Sequence, residues 1–399
     1  MKSFIGLTCA LSLLAGCELS TSDDDGDDEE RTGTATGERD AARGTSIPVE
    51  AGTPTTDAAS PGSSTDASNP PVTPGGPLPA GFQHSNIASG AALTKYGALS
   101  ISHSVGLDTD ALAFTGAYAD PSFKPQLVST ADGELAVLYV ESLVTTTGGA
   151  INVAGERPLV IIAEKTIDHA GWIGSVASGT NGYAAGGAPG SSSPERRGFG
   201  PGGGSAGNAT TGGGGGSFCG LGGVPLGGTP AAAYGDPSLI PLVGGSAGGS
   251  ANGGSASAGG AVELVAGVSL LIKETGGINV PGRGTDRNAG GSSGGAILLE
   301  SPQVTVLGVL AANGASGGGP IYGGVEGTIT STPANQGHDE AIGQGSAGAV
   351  VNGGNGTSAR AAGGGGAGRI RINGAKITLG ANAVITPSKD TPCYSQGTL

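Results

Sequence analysis

From residue 135 onward, apolar residues fall on alternate positions in short runs, and the runs recur in blocks. Five blocks stand out: Leu135–Gly155, Pro158–Gly179, Gly260–Gly284, Gly295–Gly317 and Gly368–Ser388. Each holds two or three runs rich in Val, Ile and Leu, separated by small or polar residues and closed by a glycine turn. Val160, Ile162 and Ile167 mark the second block; Val262, Leu264, Val268, Leu270 and Ile272 the third; Ile370, Ile372, Ile377, Leu379 and Val384 the fifth. The first and third share an ending, Gly149-Ala150-Ile151-Asn152-Val153 against Gly276-Gly277-Ile278-Asn279-Val280. A period of two predicts strands, with Ile297 and Leu299 on one face and Leu298 and Glu300 on the other. One block cannot bury its inner face alone, but stacked blocks can. The pattern therefore predicts an all-β chain: a single-stranded parallel β-helix, or solenoid, over 135–388. A β-sandwich with irregular loops is the competing arrangement.

Two long stretches interrupt the repeat, 180–259 and 318–367, both dominated by Gly, Ser and Ala. Unstructured loops of that length are unusual inside a compact domain. With few side chains to bury, any order there must come from backbone hydrogen bonds, as in extended glycine strands packed side by side. Upstream, Ala98–Ser102 alternates, and Asp120-Pro121 and Asp132-Gly133 are turn signals. Residues 82–134 are expected to form an N-terminal β cap, and 389–399 a C-terminal tail.

Composition narrows this further. The chain has 399 residues, of which 83 are Gly and 24 Pro, with 4% aromatic and 13% charged. A core of large side chains cannot be drawn from that, and no Gly-X-Y period supports collagen. The net charge of −14 is concentrated between Glu18 and Asp66, where acids face only Arg31, Arg39 and Arg43. Residues 17–81 read as a disordered acidic Ser/Thr/Pro-rich tether, a self-repelling spacer. The acid run Asp23–Glu30 lacks the alternate spacing of a calcium loop. Without a clustered basic surface, nucleic acid is not an expected partner.

The N-terminus begins with Lys2 and an apolar run, Ile5–Ala15, too short to span a bilayer, and ends Leu14-Ala15-Gly16-Cys17. These are the parts of a secretory signal, residues 1–16. The string resembles the lipobox of bacterial lipoprotein precursors. The resemblance implies cleavage before Cys17, diacylation of its thiol (palmitate-type chains) and stable membrane anchoring by two or three acyl chains. Cys9 leaves with the signal. Cys219 and Cys393 remain in a compartment that permits disulfides; they pair with each other or stand as separate thiols.

Candidate chemistry is sparse. β-Helix enzymes acting on polysaccharides need clustered carboxylates as acid and base or as calcium ligands. Arg283, Asp286 and Arg287, in the turn between the third and fourth blocks, are catalytic candidates, with a local salt link as the plainer reading. His338, Asp339 and Glu340 form a second polar triplet, on a glycine-rich loop. Tyr183, Phe199, Phe218, Tyr234 and Tyr322 are spaced through glycine; aromatic faces stack on sugar rings, which makes Tyr183 and Tyr234 candidate glycan contacts, and the plainer reading is that each of the five rings anchors its loop. Trp172 sits on a coil turn, where packing accounts for it. No phosphate loop, calcium nonapeptide or zinc constellation is present, and neither cofactor nor metal is expected.

Together, the lipobox, the acidic tether and repeats such as Gly294-Gly295-Ala296-Ile297-Leu298-Leu299 and Gly366-Ala367-Gly368-Arg369-Ile370-Arg371-Ile372 resemble the glycine-rich surface lipoproteins of Gram-negative soil bacteria. The resemblance implies an envelope location, and Glu18 after the cysteine favours the outer membrane. The function expected is a lipid-anchored structural or adhesive surface protein without catalysis. The alternative is a polysaccharide-binding or polysaccharide-cleaving protein. The partners expected are the membrane, through the lipid, and an extracellular or envelope polysaccharide.

Overall fold

The structure, a computed structural model, describes residues 73–77, 84–88, 90–174, 196–208, 210–251, 257–335 and 341–399. The signal stretch, Cys17, the tether apart from 73–77, Tyr183 and the triplet His338–Glu340 lie outside the described residues. The described residues are all-β, with 22 strands and no helix among them.

The chain opens with β1 (Thr73–Pro77), which pairs antiparallel with β2 (Ala92–Tyr96). Next come β3 (Leu99–Ile101), β4 (Ser104–Asp108), β5 (Ala113–Thr115) and β6 (Gln126–Thr130). Four regular triplets follow. The first is β7 (Gly133–Val140), β8 (Leu143–Thr145) and β9 (Ala150–Ala154). The second is β10 (Leu159–Ala163), β11 (Thr166–His169) and β12 (Trp172–Gly174). The third is β13 (Ala261–Ala266), β14 (Ser269–Ile272) and β15 (Gly277–Asn279). The fourth is β16 (Ala296–Glu300), β17 (Gln303–Val306) and β18 (Val309–Ala311). A last triplet, β19 (Arg369–Asn373), β20 (Lys376–Leu379) and β21 (Val384–Thr386), precedes β22 (Tyr394–Gly397).

The strands sort into three sheets. The first runs β1-β2-β7-β10-β13-β16-β19-β22, with β6 also on β7; the second β20-β17-β14-β11-β8-β3; the third β21-β18-β15-β12-β9-β4-β5. From β2 on, each triplet visits the first, second and third sheets in that order, and successive visits pair in parallel. Each triplet therefore pairs strand for strand with the one before it. The five blocks of the sequence pattern hold five of these triplets.

Parallel register stacks like on like. Leu138, Ile161, Leu264, Leu299 and Ile372 form one interior column, and Val105, Ile151, Ile173, Ile278, Leu310 and Ile385 another. All but Ile385 are buried, and it packs against them. Each buried Leu or Ile contributes about 1.5–3 kcal/mol relative to exposure. The first sheet is covered on its outer face too. There Tyr139, Val160, Ile162, Val265 and Leu298 pack under Ile87, Phe218, Leu239 and Leu242. Burial on both faces explains why Leu159–Ala163 is an unbroken apolar run while the second-sheet strands alternate.

The glycine-rich excursions leave from third-sheet strands and return at first-sheet strands: from β12 to β13, β15 to β16 and β18 to β19. They are ordered by their own peptide groups. Gly213 and Gly216 donate to Asn288 O and Gly291 O, Gly214 to Ser205 O and Gly215 to Gly223 O. Gly363 and Gly366 donate to Gly213 O and Gly216 O, Gly364 to Gly354 O and Gly365 to Ala315 O. Gly291 and Gly294 donate to Gly363 O and Gly366 O, closing a triangle of three segments. Residues three apart thus bond to the same neighbour and intervening residues to two others. None of these glycines has a positive φ. A threefold direction, negative φ and bonds only to other segments are the features of left-handed polyproline-II helices, here bundled side by side. The spacing leaves no room for side chains: a Cβ on Gly215 would overlap Gly364 O. Short connections such as 288–294, outside the two expected interruptions, also join the bundle.

Three boundaries differ from the sequence expectation. The stretch 82–134 contains a complete turn of the repeat, β2–β4, as well as the antiparallel pieces β5 and β6 that border it. Residues 73–77 of the tether add the antiparallel strand β1. The tail 389–399 supplies β22, which extends the first sheet in parallel with β19. Antiparallel strands at the start of the stack occupy backbone groups that an open edge would expose. Just before β22, Cys393 is bonded to Cys219, joining the last turn to the bundle across 174 residues of sequence.

Candidate functional site

The third sheet turns two outward rows of side chains away from the interior. Register places Ser104, Ala150, Trp172, Gly277 and Val309 in one row, and Asn152, Gly174, Asn279 and Ala311 in the next. Trp172 is the chain's sole tryptophan. It lies in a strand, not on a turn, and faces outward because Ile173 faces in. Its ring reaches over Gly277, where a Cβ would stand 2.8 Å from Trp172 Cζ3. Glycine at 277 therefore lets the indole extend along the sheet.

A wall rises beside these rows from the loop after β18. Gly324 and Gly327 donate to Thr285 O and Gly282 O, and Val325 O accepts from Ser316 N. Buried Asn313 holds the loop's far end, donating to Thr328 O at 2.7 Å and Thr330 O at 2.9 Å. The amide is oriented by Thr386, whose hydroxyl donates to Asn313 Oδ1 at 2.7 Å. Between wall and sheet lies a groove of about 440 Å³, lined by Asn152, Trp172, Asn279, Glu326 and Ile329 among others. That volume falls in the range of small-molecule sites, about 300–1,000 Å³.

The groove is mostly apolar, with a few fixed polar groups. Asn152 Nδ2 donates to Ser104 Oγ at 2.7 Å. Asn279 Oδ1 is shielded from solvent and has no donor among the described residues. Glu326 faces Arg283 at 3.4 Å, both largely buried. Burial pushes the Glu326 carboxyl above its ordinary value, against the opposing pull of Arg283.

Of the catalytic and glycan-contact candidates named from sequence, Arg283 alone among the described residues borders this groove, through Glu326. Asp286 and Arg287 are exposed at their turn, so the three do not assemble into a catalytic cluster. Tyr234 serves as an anchor and not as a presented sugar platform. Its ring packs on Phe218 with centroids 4.9 Å apart. Its hydroxyl donates to Gly244 O at 2.7 Å and accepts from Ser246 Oγ at 2.9 Å. The sequence reading takes Trp172 for packing on a turn and does not single out Asn152, Asn279 or Glu326. The shared ending Ile-Asn-Val was a usable signal for the two asparagines, and alternation with Ile173 for the tryptophan. Nothing local marks Glu326.

Two polar clusters are sealed inside. Glu263 and Glu300, on the outer face of the first sheet, are 0% and 1% exposed. Glu300 accepts from Ser85 N at 2.8 Å, Ser85 Oγ at 2.5 Å and Asn373 Nδ2 at 2.7 Å. Glu263 Oε2 accepts from Asn86 Nδ2 at 3.0 Å. Burial first, then the neighbouring Glu300, raises the Glu263 carboxyl well above its ordinary value. Burial likewise lowers the nearby His84, while Glu300 pulls it upward.

In the interior of the second sheet, His169 Nε2 lies 3.1 Å from Gly277 O, and its Nδ1 2.6 Å from Thr145 Oγ1. Thr145 Oγ1 already accepts from Ala170 N and Gly171 N. Its proton therefore goes to Nδ1, leaving neutral imidazole with the proton on Nε2. Burial depresses this histidine to about 4. Buried this way, neither cluster can meet a polymer substrate. Among the described residues, no group of three or more His, Cys, Asp or Glu could hold a metal ion. Comparison with known proteins finds no matching family model, curated protein or solved structure.

Proposed function

We propose that this chain is a lipid-anchored envelope protein with a structural or adhesive surface role, its repeat a single-stranded parallel β-helix carried on an acidic spacer. In this reading Cys17 holds the lipid and the outer membrane is the site of attachment. The observation that carries the proposal is the glycine bundle. Long insertions that could have formed mobile loops are instead hydrogen-bonded segment to segment and tied by Cys219–Cys393 to the last turn. A stiff, nearly neutral body on a charged spacer suits holding a surface at a distance from a membrane. Protease treatment of intact cells carrying a C-terminal tag tests this. Loss of the tag supports display, and survival until the outer membrane is opened refutes it.

The second reading, polysaccharide binding, is favoured by the groove beside Trp172. Cleavage has less support, because the carboxylates that come together are sealed and Asp286 stands alone on an exposed turn.

A further inference from the structure

We infer that the third-sheet groove is a binding site for an uncharged pyranose oligosaccharide, with Trp172 as its stacking platform and the side chains of Asn152 and Asn279 as its polar contacts. This rests on the polysaccharide-binding reading and deepens it. Sugar rings have an apolar C–H face and a hydroxyl rim, and need a flat aromatic surface flanked by neutral donors and acceptors. The groove supplies both. The indole lies over Gly277, where a larger residue would displace it. The amides of Asn152 and Asn279 occupy the adjacent row, and Asn279 Oδ1 has no donor among the described residues.

The charges argue for a neutral ligand. Arg283 is already matched by Glu326 at 3.4 Å. An acidic sugar would meet no unmatched cation among the lining residues. The wall at Glu326 and Ile329 is fixed through Asn313, so the site is preformed. A rigid site loses little ordering entropy on binding.

Because Trp172 is the sole tryptophan, its emission reports on this groove alone. The full chain in detergent is titrated with cellohexaose, laminarihexaose, chitohexaose and, as an acidic comparison, hexagalacturonate, following emission and heat. The proposal expects a saturable emission shift with at least one neutral hexamer and weaker binding of hexagalacturonate. By calorimetry, Trp172→Ala lowers affinity for that hexamer about tenfold or more, Trp172→Phe restores part of it, and Asn279→Ala weakens it at an unchanged melting temperature. Heat of binding that persists undiminished in both Trp172→Ala and Asn279→Ala overturns the groove as the site while leaving glycan binding standing. Silence with every neutral hexamer overturns both. Tighter binding of hexagalacturonate overturns the choice of an uncharged sugar.

Discussion

In the interior column Leu138, Ile161, Leu264, Leu299 and Ile372, order comes from side chains; in the triangle of 213–216, 288–294 and 363–366 it comes from peptide groups. The first region buries branched carbons, and its strands bond to the turns above and below. The second has almost no side chains to bury, and each segment bonds sideways to several neighbours. Glycine loses more conformational entropy on ordering than any other residue, so the bundle is costly per residue and depends on every bond being made. The columns tolerate changes in side-chain shape, since a hydrophobic neighbour can partly close a gap. The bundle cannot, since what would move is another backbone. Composition alone therefore does not decide whether a glycine-rich stretch is a loop; the number of backbone neighbours does.

The sharpest way to break this contrast is to add side chains to the bundle. Gly215→Val places branched carbons against Gly364 O. It is expected to destabilise by more than about 3 kcal/mol, at or beyond the usual cost of overpacking, and to leave little folded protein. Thermal unfolding followed by circular dichroism measures this. A variant melting within a few degrees of the parent would mean that the bundle does not pack as closely as described.

The matching change in the columns is Leu299→Ala. It removes a fully buried side chain between Leu264 and Ile372 and should cost about 2–5 kcal/mol, while Ile297→Val should cost only about 0.5–1.5 kcal/mol. A graded response here beside an abrupt one at Gly215 is the outcome that sets the regions apart. Urea midpoints of the three variants, compared at equal slope, give the ranking.

The same contrast explains what was legible in the sequence. Side-chain order leaves a trace, so the five blocks with Val, Ile and Leu at alternate positions mark their own turns. The turn β2–β4 leaves less, because Thr94, Lys95, Ser104 and Gly106 dilute its alternation, and β22 joins the first sheet with the polar string Tyr394-Ser395-Gln396-Gly397. Backbone order leaves composition only: Gly213 and Gly363 bond to each other, but no residue type records which glycine meets which. The groove divides the same way. Trp172 and the paired asparagines sit on readable strands, whereas Glu326 reaches Arg283 across 43 residues of glycine-rich chain.

Acid titration separates the regions by a smaller effect. His169 lies among the columns, and its folded value of about 4 is below its ordinary 6.5. In acid the unfolded chain takes up a proton there before the folded one does. The contribution is therefore fully present above pH 6.5 and lost as pH falls toward 4, about 3 kcal/mol in all. Glu263, facing Glu300, Asn86 and the Ser85 backbone, has the opposite sign. Its folded value is raised, so the unfolded chain releases a proton first as pH rises above about 4.5, and stability falls with pH. Replacing each group should flatten its own limb of the melting-temperature profile: His169→Gln the acid limb and Glu263→Gln the decline at higher pH. Gly215 and its neighbours carry no titrating group, so amide exchange across 213–216, corrected for the intrinsic pH dependence, should follow global stability and add no transition of its own. Loss of protection there at a pH where the columns remain protected would show that the bundle opens separately, and that the two kinds of order are not coupled into one cooperative unit.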